Sequence, residues 1–206
     1  MKTREDGVGR TMTLEERIDS FVLEEMTRSE AGAHAYDHVK RVHSIAMEIG
    51  RELHADLRVL GAAALLHDVG RFREEETGIS HSKLSGDIGE GILRELEYTE
   101  AEIQGVKEAI RTHRFSENLT PTSLEGEILS DADKLDAMGA IGVFRAVAQA
   151  AVENAGFEAF LKHADAKLLK LHDLMYTETA REMAEERHKV LQSFVEELRR
   201  QLQDES

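Results

Sequence analysis

The chain has no cysteine, no tryptophan, three tyrosines and one proline in 206 residues. Without cysteine there can be no disulfide scaffold, thiolate zinc site or cysteine nucleophile. With Pro121 as the one proline, few β-branched runs and abundant Ala, Leu, Glu, Lys and Arg, sheet is disfavoured and an all-α fold expected. Apolar runs are short, as in Ala62–Leu66, against the roughly 18 residues of a membrane span. The opening MKTREDGVGR lacks the apolar stretch of a secretion signal, so a cytoplasmic, membrane-free protein is expected. Positive charge is also scarce. Against 41 Asp+Glu stand 26 Lys+Arg, a net charge of −15, which opposes nucleic acid polymers and acidic membrane surfaces. It does not oppose a small phosphorylated substrate, because one metal ion and a few local cations reverse the field inside a pocket.

What is present reads as one domain over residues 1–206, with residues 1–12 as a flexible N-terminus. A chain of this size buries a sufficient core by itself, so a metal would serve function rather than folding. Apolar periodicity and end signals predict helices over 13–29, 35–54, 56–69, 81–96, 100–114, 123–137, 139–154, 157–170 and 177–203. Capping boxes are read at Thr13 with Glu16, Thr99 with Glu102, and Thr122 with Glu125. Gly70 is read as a helix C-cap, Arg73 to Glu76 as a solvated connection containing the approach to Gly78, and Asn118 to Pro121 as a loop. The 177–203 segment spaces Leu191, Phe194, Val195, Leu198 and Leu202 along one face. That amphipathic helix is expected to pack on the domain, with a homodimer through it as the alternative.

Several polar groups share phase with apolar stripes and must point inward. His38 lies in phase with Val42, Ile45 and Ile49; Leu57, Leu60 and Ala64 lead to His67 and Asp68. Ile103, Val106 and Ile110 lead to His113, His81 leads into Leu84, Ile88 and Ile92, and Leu129 stands one turn before Asp133. A buried Asp needs charge compensation and a buried His needs partners for both ring nitrogens; a shared cation satisfies both. The adjacent pair His67–Asp68, joined by His38 and Asp133 from distant helices, makes a two-nitrogen, two-oxygen set. Such a set suits Mn²⁺, Fe²⁺, Co²⁺, Ni²⁺ or Zn²⁺ and leaves places on an octahedral ion for water and substrate. Helical phase alone leaves Asp133 and Asp136 open as the last ligand. Asp131 reads as an N-cap or a support for a ligand.

His38, His67-Asp68 and Asp133, in this order, resemble the His…His-Asp…Asp signature of the HD-domain metal-dependent phosphohydrolases. The surrounding blocks carry the resemblance: Asp37-His38-Val39-Lys40-Arg41-Val42, Ala63-Ala64-Leu65-Leu66-His67-Asp68-Val69-Gly70-Arg71-Phe72, and Ile128 through Gly142. With His81-Ser82-Lys83 and Thr112-His113-Arg114-Phe115 between them, they are similar to a small stand-alone branch associated with nucleotide pyrophosphohydrolase activity. The resemblance covers about residues 20–175. It implies an HD-domain helical bundle of about eight or nine helices, and it selects Asp133 as the fourth ligand. It also places His81 and His113 where further ligands occur in two-metal relatives, so that they bind a second ion or, as favoured here, meet substrate phosphate. His34, one turn before His38, is matched as a residue supporting the site or the substrate.

The expected reaction is hydrolysis of a nucleoside triphosphate to monophosphate and pyrophosphate by a metal-activated water, with Mn²⁺ favoured and Mg²⁺ also compatible. Lys83, Arg114 and Lys134 are the candidates to offset the leaving charge, His67 and Asp68 the ligands most tied to catalysis. The alternatives are a nucleoside monophosphate phosphomonoesterase, a two-iron oxygenase, and a non-catalytic metal-binding module.

Overall fold

The computed structural model describes residues 11–27, 32–114, 117–153 and 156–204. Among these, ten α-helices and no strand are found. They are α1 (Leu14–Met26), α2 (Gly32–Glu52), α3 (Leu57–Leu66), α4 (Arg71–Thr77), α5 (His81–Glu95), α6 (Glu100–Thr112), α7 (Leu124–Asp136), α8 (Gly139–Val152), α9 (Phe157–Ala166) and α10 (Glu178–Asp204). A 3₁₀ helix, Leu168–Leu174, joins α9 to α10.

The middle of the molecule is α3. After Arg58 in its first turn, its sequence, LRVLGAAALL, is apolar all round, as only a helix surrounded by others can be, and every residue from Val59 to Leu66 is buried. Packing against it are α1, α2, α5, α6 and α7. Asp56 starts α3 by accepting hydrogen bonds from the Arg58 and Val59 N–H groups. The capping boxes at Thr13 and Thr99 form as read. The third does not: Ser123 is the N-cap of α7 and accepts from the Gly126 N–H, while Thr122 donates to Glu108 and Glu125 accepts from the Asp56 N–H. Moving the cap one residue along places Gly126 at the reciprocal position, where no side chain can answer.

Three further readings need correction. Gly70 does not cap α3, which ends at Leu66; it has φ −88° and opens α4. A Cβ on it would lie 2.7 Å from both Leu84 Cβ and the Ser85 backbone nitrogen, so glycine is needed for close approach rather than for a left-handed turn. The charged stretch from Arg73 to Glu76 is helical, within α4, and closes at Gly78 (φ 68°), whose N–H bonds the Glu74 carbonyl. At the other end, the helix expected over 157–170 stops at Ala166, where Lys167 leaves helical geometry.

Leu191 and Val195 of α10 are buried, and the helix lies on α7, α8 and the 3₁₀ segment. Gly139, with φ 65°, turns the chain through 67° between α7 and α8. Among the described residues no single helix is long and apolar enough to cross a membrane. Residues 1–10, Phe115, and the ends expected at 29 and 154 lie outside the described residues.

Candidate metal centre

Five elements send side chains to one point beneath α3. His38 comes from α2; His67 and His113 are the C-cap residues of α3 and α6; His81 is the first residue of α5; Asp133 comes from α7. All four histidines are at least 96% buried, as is Asp68 in the turn after α3.

The rings share one orientation. His67 Nδ1–H donates to the Ala64 carbonyl at 2.8 Å and His113 Nδ1–H to the Ile110 carbonyl at 2.6 Å. Each thereby satisfies a last-turn carbonyl that the helix leaves open. His38 Nδ1–H donates to Asp136 at 2.7 Å and His81 Nδ1–H to Glu74 at 2.6 Å. Every Nε2 is left pointing at the common centre. His38 Nε2 lies 3.4 Å from His67 Nε2, 3.3 Å from Asp133 Oδ1 and 3.7 Å from Asp68 Oδ2. His81 Nε2 stands 3.2 Å from Asp68 Oδ1, at an angle that makes no hydrogen bond, so both atoms are buried without a partner.

Donor atoms of His38, His67 and Asp133 lie within 4.8 Å of one another, and so do those of His67, Asp68 and His113. Buried orphan acceptors facing bare imidazole nitrogens are costly unless something electron-poor sits between them. The Nδ1 hydrogen bonds fix the tautomer that a metal-ligating histidine requires. The donor set fits a divalent cation.

Electrostatics agree with this. Burial raises the Asp68 and Asp133 carboxyls, but the neighbouring histidines, and Arg71 at 2.9 Å from Asp68, outweigh it and hold both well below the usual range. Burial lowers His67 to about 4 and depresses His113 as well, leaving neutral rings. Burial also pushes His38 down, yet Asp133 and Asp136 overcome it and lift the ring to about 9. A dication displaces that proton, so binding and deprotonation are linked.

Asp136 is fully buried and surrounded by His38, Arg41 at 2.6 Å and Arg145. Its carboxylate therefore faces the back of His38, whereas Asp133 faces the front. Asp131 anchors α10, accepting from the Tyr176 and Thr177 N–H groups and the Thr177 hydroxyl, and it holds Lys134 at 3.4 Å.

A cleft of about 170 Å³ opens onto this centre, lined by His81, His113 and Asp133 and by Arg71, Arg114, Lys134 and Lys167. Arg114 is held by Glu74 at 2.6 Å, and burial depresses the Lys134 ammonium. Lys83 is not in the cleft. Two residues after His81 it points about 200° around α5, exposed, into a separate depression with Lys107 and Arg111. His34 falls within α2, but its side chain lies outside the described residues. Sequence reasoning missed Lys167, Glu74 and Arg145. Glu74 and Arg145 lie within ten residues of the partners they hold, on helices whose local sequence does not show which face meets the site, whereas Lys167 reaches the cleft from a distant segment.

The HD-domain family profile matches residues 35–138, from α2 to the turn after α7. Over 195 residues the chain is 34% identical to the YpgQ protein of Bacillus subtilis, covering 91% of this chain and 93% of that one. The crystal structure of YpgQ superposes with a TM-score of 0.76 at 30% identity, covering 91% and 95% of the two chains. YpgQ in complex with ADP superposes at 0.75, with 30% identity over 91% and 94%. An HD-superfamily hydrolase from Bacillus thuringiensis superposes at 0.72, with 32% identity over 92% and 96%. Matched by the family profile across about half its length, and by relatives in sequence and structure across nearly all of it, the chain belongs to the HD-domain family of metal-dependent hydrolases.

Proposed function

We propose that the chain hydrolyses nucleoside triphosphates to nucleoside monophosphate and pyrophosphate. The observation that carries this reading is the cleft: in a chain of net charge −15, four cations converge on one small opening beside the candidate metal centre. Asp68, Glu74 and Asp131 hold three of these cations in place, and a dication bound beside them would tip the local balance to positive and make the opening a site for a compact polyanion. That a relative, YpgQ, has been crystallised with ADP supports a nucleotide as that polyanion.

His38, His67, Asp68 and Asp133 would hold the ion, with Mn²⁺ the favoured occupant of a two-nitrogen, two-oxygen set. A divalent ion there supplies a Lewis acid for a phosphoryl oxygen and lowers the pKa of water at neutral pH. Asp136 and the Ala64 carbonyl keep two imidazoles turned inward. His81 and His113 turn Nε2 towards the cleft: burial lowers the His81 ring but Asp68 and Glu74 raise it above the usual range, so that a protonated His81 would donate to a phosphate oxygen, whereas the neutral His113 ring offers a lone pair that would suit a second ion. Arg114, Lys134 and Lys167 neutralise the charge that collects on the departing pyrophosphate as water adds to the α-phosphorus. The acidic exterior restricts substrates to small nucleotides rather than polymers.

Product analysis on nucleoside tri-, di- and monophosphates with Mn²⁺ tests this. Monophosphate and pyrophosphate from a triphosphate are expected. Free phosphate released from monophosphates, without pyrophosphate, makes the chain a phosphomonoesterase; metal loading without turnover on any of them makes it a binding module.

A further inference from the structure

Helix α8 is nearly as apolar as the central helix α3, yet it buries only Gly139 and Gly142. Its apolar stripe faces outward. Ile141, Phe144, Val147, Ala148, Ala151 and Val152 are all exposed and fall within about 140° of the circumference at roughly 100° per residue. No charged or polar residue interrupts that arc. Arg145 lies beside it, on the flank that reaches Asp136. Phe144 is 75% exposed, Val152 79%, and Phe157, at the start of α9, 61%.

Area and charge identify the occupant. Ile141, Phe144, Val147, Val152 and Phe157 together expose on the order of 600 Å² of apolar surface, at the upper end of the largest patch on a typical monomer. Counted on two copies, that reaches roughly the 1,200 Å² at which stable protein interfaces begin. The negative chain disfavours an anionic bilayer, while an uncharged face places no like charges opposite one another when two copies meet.

The shape is self-complementary. Ile141, Phe144, Ala148 and Ala151 follow the three-four-three spacing of a helix-packing seam. The seam runs from bulky to small. Parallel pairing would press phenylalanine on phenylalanine and leave alanines facing across a gap; antiparallel pairing fills each alanine's space with a large side chain. The C-terminal helix, by contrast, turns Leu191 and Val195 of its stripe into its own fold and sets Phe194, 40% exposed, against Phe160.

We propose that α8 is a self-association surface, on which two copies pair these helices antiparallel about a two-fold axis. Each Ile141 sits over the partner's Ala151, and each Phe144 over the partner's Ala148. Such an isologous contact closes at two subunits.

Sedimentation of the full chain tests this without any turnover assay. At tens of micromolar, in the range of a ~1 μM dissociation constant, the parent should be a dimer and Phe144→Asp a monomer with an unchanged far-UV circular dichroism spectrum. Because the chain lacks cysteine, an equimolar mixture of Ile141→Cys and Ala151→Cys chains, whose cysteines the pairing sets opposite one another, should form an intermolecular disulfide under mild oxidation, while Glu182→Cys on exposed α10 should not. A monomeric parent, a Phe144→Asp variant that remains dimeric, or a dimer in which Ile141→Cys and Ala151→Cys fail to cross-link would each overturn the proposal.

Discussion

Asp136 grips His38 from behind: its Oδ2 accepts from Nδ1 at 2.7 Å, while Nε2 of the same ring faces Asp133 Oδ1 at 3.3 Å. Burial raises the Asp136 carboxyl, but His38 and Arg41 outweigh it and hold it at about 2, so it stays ionised. The carboxylate thus fixes which nitrogen carries the proton and which is free for an ion. Asp136→Asn preserves size but weakens that control. It should reduce Mn²⁺ affinity by about 10- to 100-fold, the usual cost of losing a residue that orients a ligand. Calorimetric titration giving parental affinity would remove Asp136 from this role.

The ligands themselves should behave differently from their supports. His67→Ala with Asp68→Ala should abolish both metal retention and hydrolysis. Because the ion would tie α2, α3 and α7 together, chelation should also lower the melting temperature of the metal-loaded protein. At free metal near 100 times the dissociation constant, mass action contributes about 2.7 kcal/mol. Metal analysis before and after chelation, with a melt on each sample, checks the coupling; identical melts contradict it.

The inward phase of His38, His67 and His113 was legible because each lies in register with an apolar stripe, and burial imposes that period. Asp133 and Asp136 were not separable, since residues three apart on a helix share a face; only the depth of each in the fold distinguishes them. Arg73 to Glu76 looked like a loop because α4 has almost no buried face of its own. It is stabilised by its ends, Gly70 against α5 and the left-handed Gly78. Lys167 was invisible for a different reason. It enters the cleft where α9 ends and the chain tightens into a 3₁₀ helix, a break that no proline or glycine announces.

Gly70 ties the turn after α3 to the site. Its N–H donates to Ser85 Oγ at 2.9 Å, drawing the turn that carries Asp68 against α5, which carries His81. Gly70→Ala forces the backbones apart, because the added carbon meets Ser85 nitrogen rather than a movable side-chain end. Overpacking of this kind costs about 1–3 kcal/mol. A denaturant midpoint equal to the parent's would show that the turn has room to yield.

The metal-free protein should show a pH optimum of stability. His38 is lifted to about 9 in the fold, above the roughly 6.5 of an unfolded chain. A proton held more tightly when folded stabilises the fold fully below about 6.5, and that contribution is lost as pH rises through about 9. Burial lowers His67 to about 4, so it destabilises below that pH and ceases to do so by about 6.5. Melting temperature in chelator should therefore rise towards pH 6.5 and fall towards 9. His38→Asn should reduce the alkaline fall, leaving the part that comes from His81, which burial lowers but Asp68 and Glu74 raise. A flat alkaline profile in the parent would mean that Asp133 and Asp136 do not hold the protonated ring.

Lys83 and Lys167 offer the sharpest comparison at the cleft, because sequence proximity favours the first and the fold favours the second. Lys83 is two residues from His81 but faces away; Lys167 is far in sequence but lines the opening with Arg114 and Lys134. If leaving phosphates are gripped there, Lys167→Ala, Arg114→Ala and Lys134→Ala should each retain metal yet turn over triphosphate more slowly. Losses of about 10- to 1,000-fold are expected for a preorganised charge-stabilising group. A contact that strengthens as charge builds lowers kcat, whereas one equally good with bound substrate raises KM. Lys134 is buried against Asp131 and its ammonium is depressed by burial, so its removal should also cost stability; Lys167 and Arg114 should separate the two effects. Lys83→Ala should match the parent on every substrate. Full activity in all three cleft variants would move the phosphate subsite elsewhere and leave the metal centre standing, while a defect confined to Lys83→Ala would place the substrate on the outer face of α5.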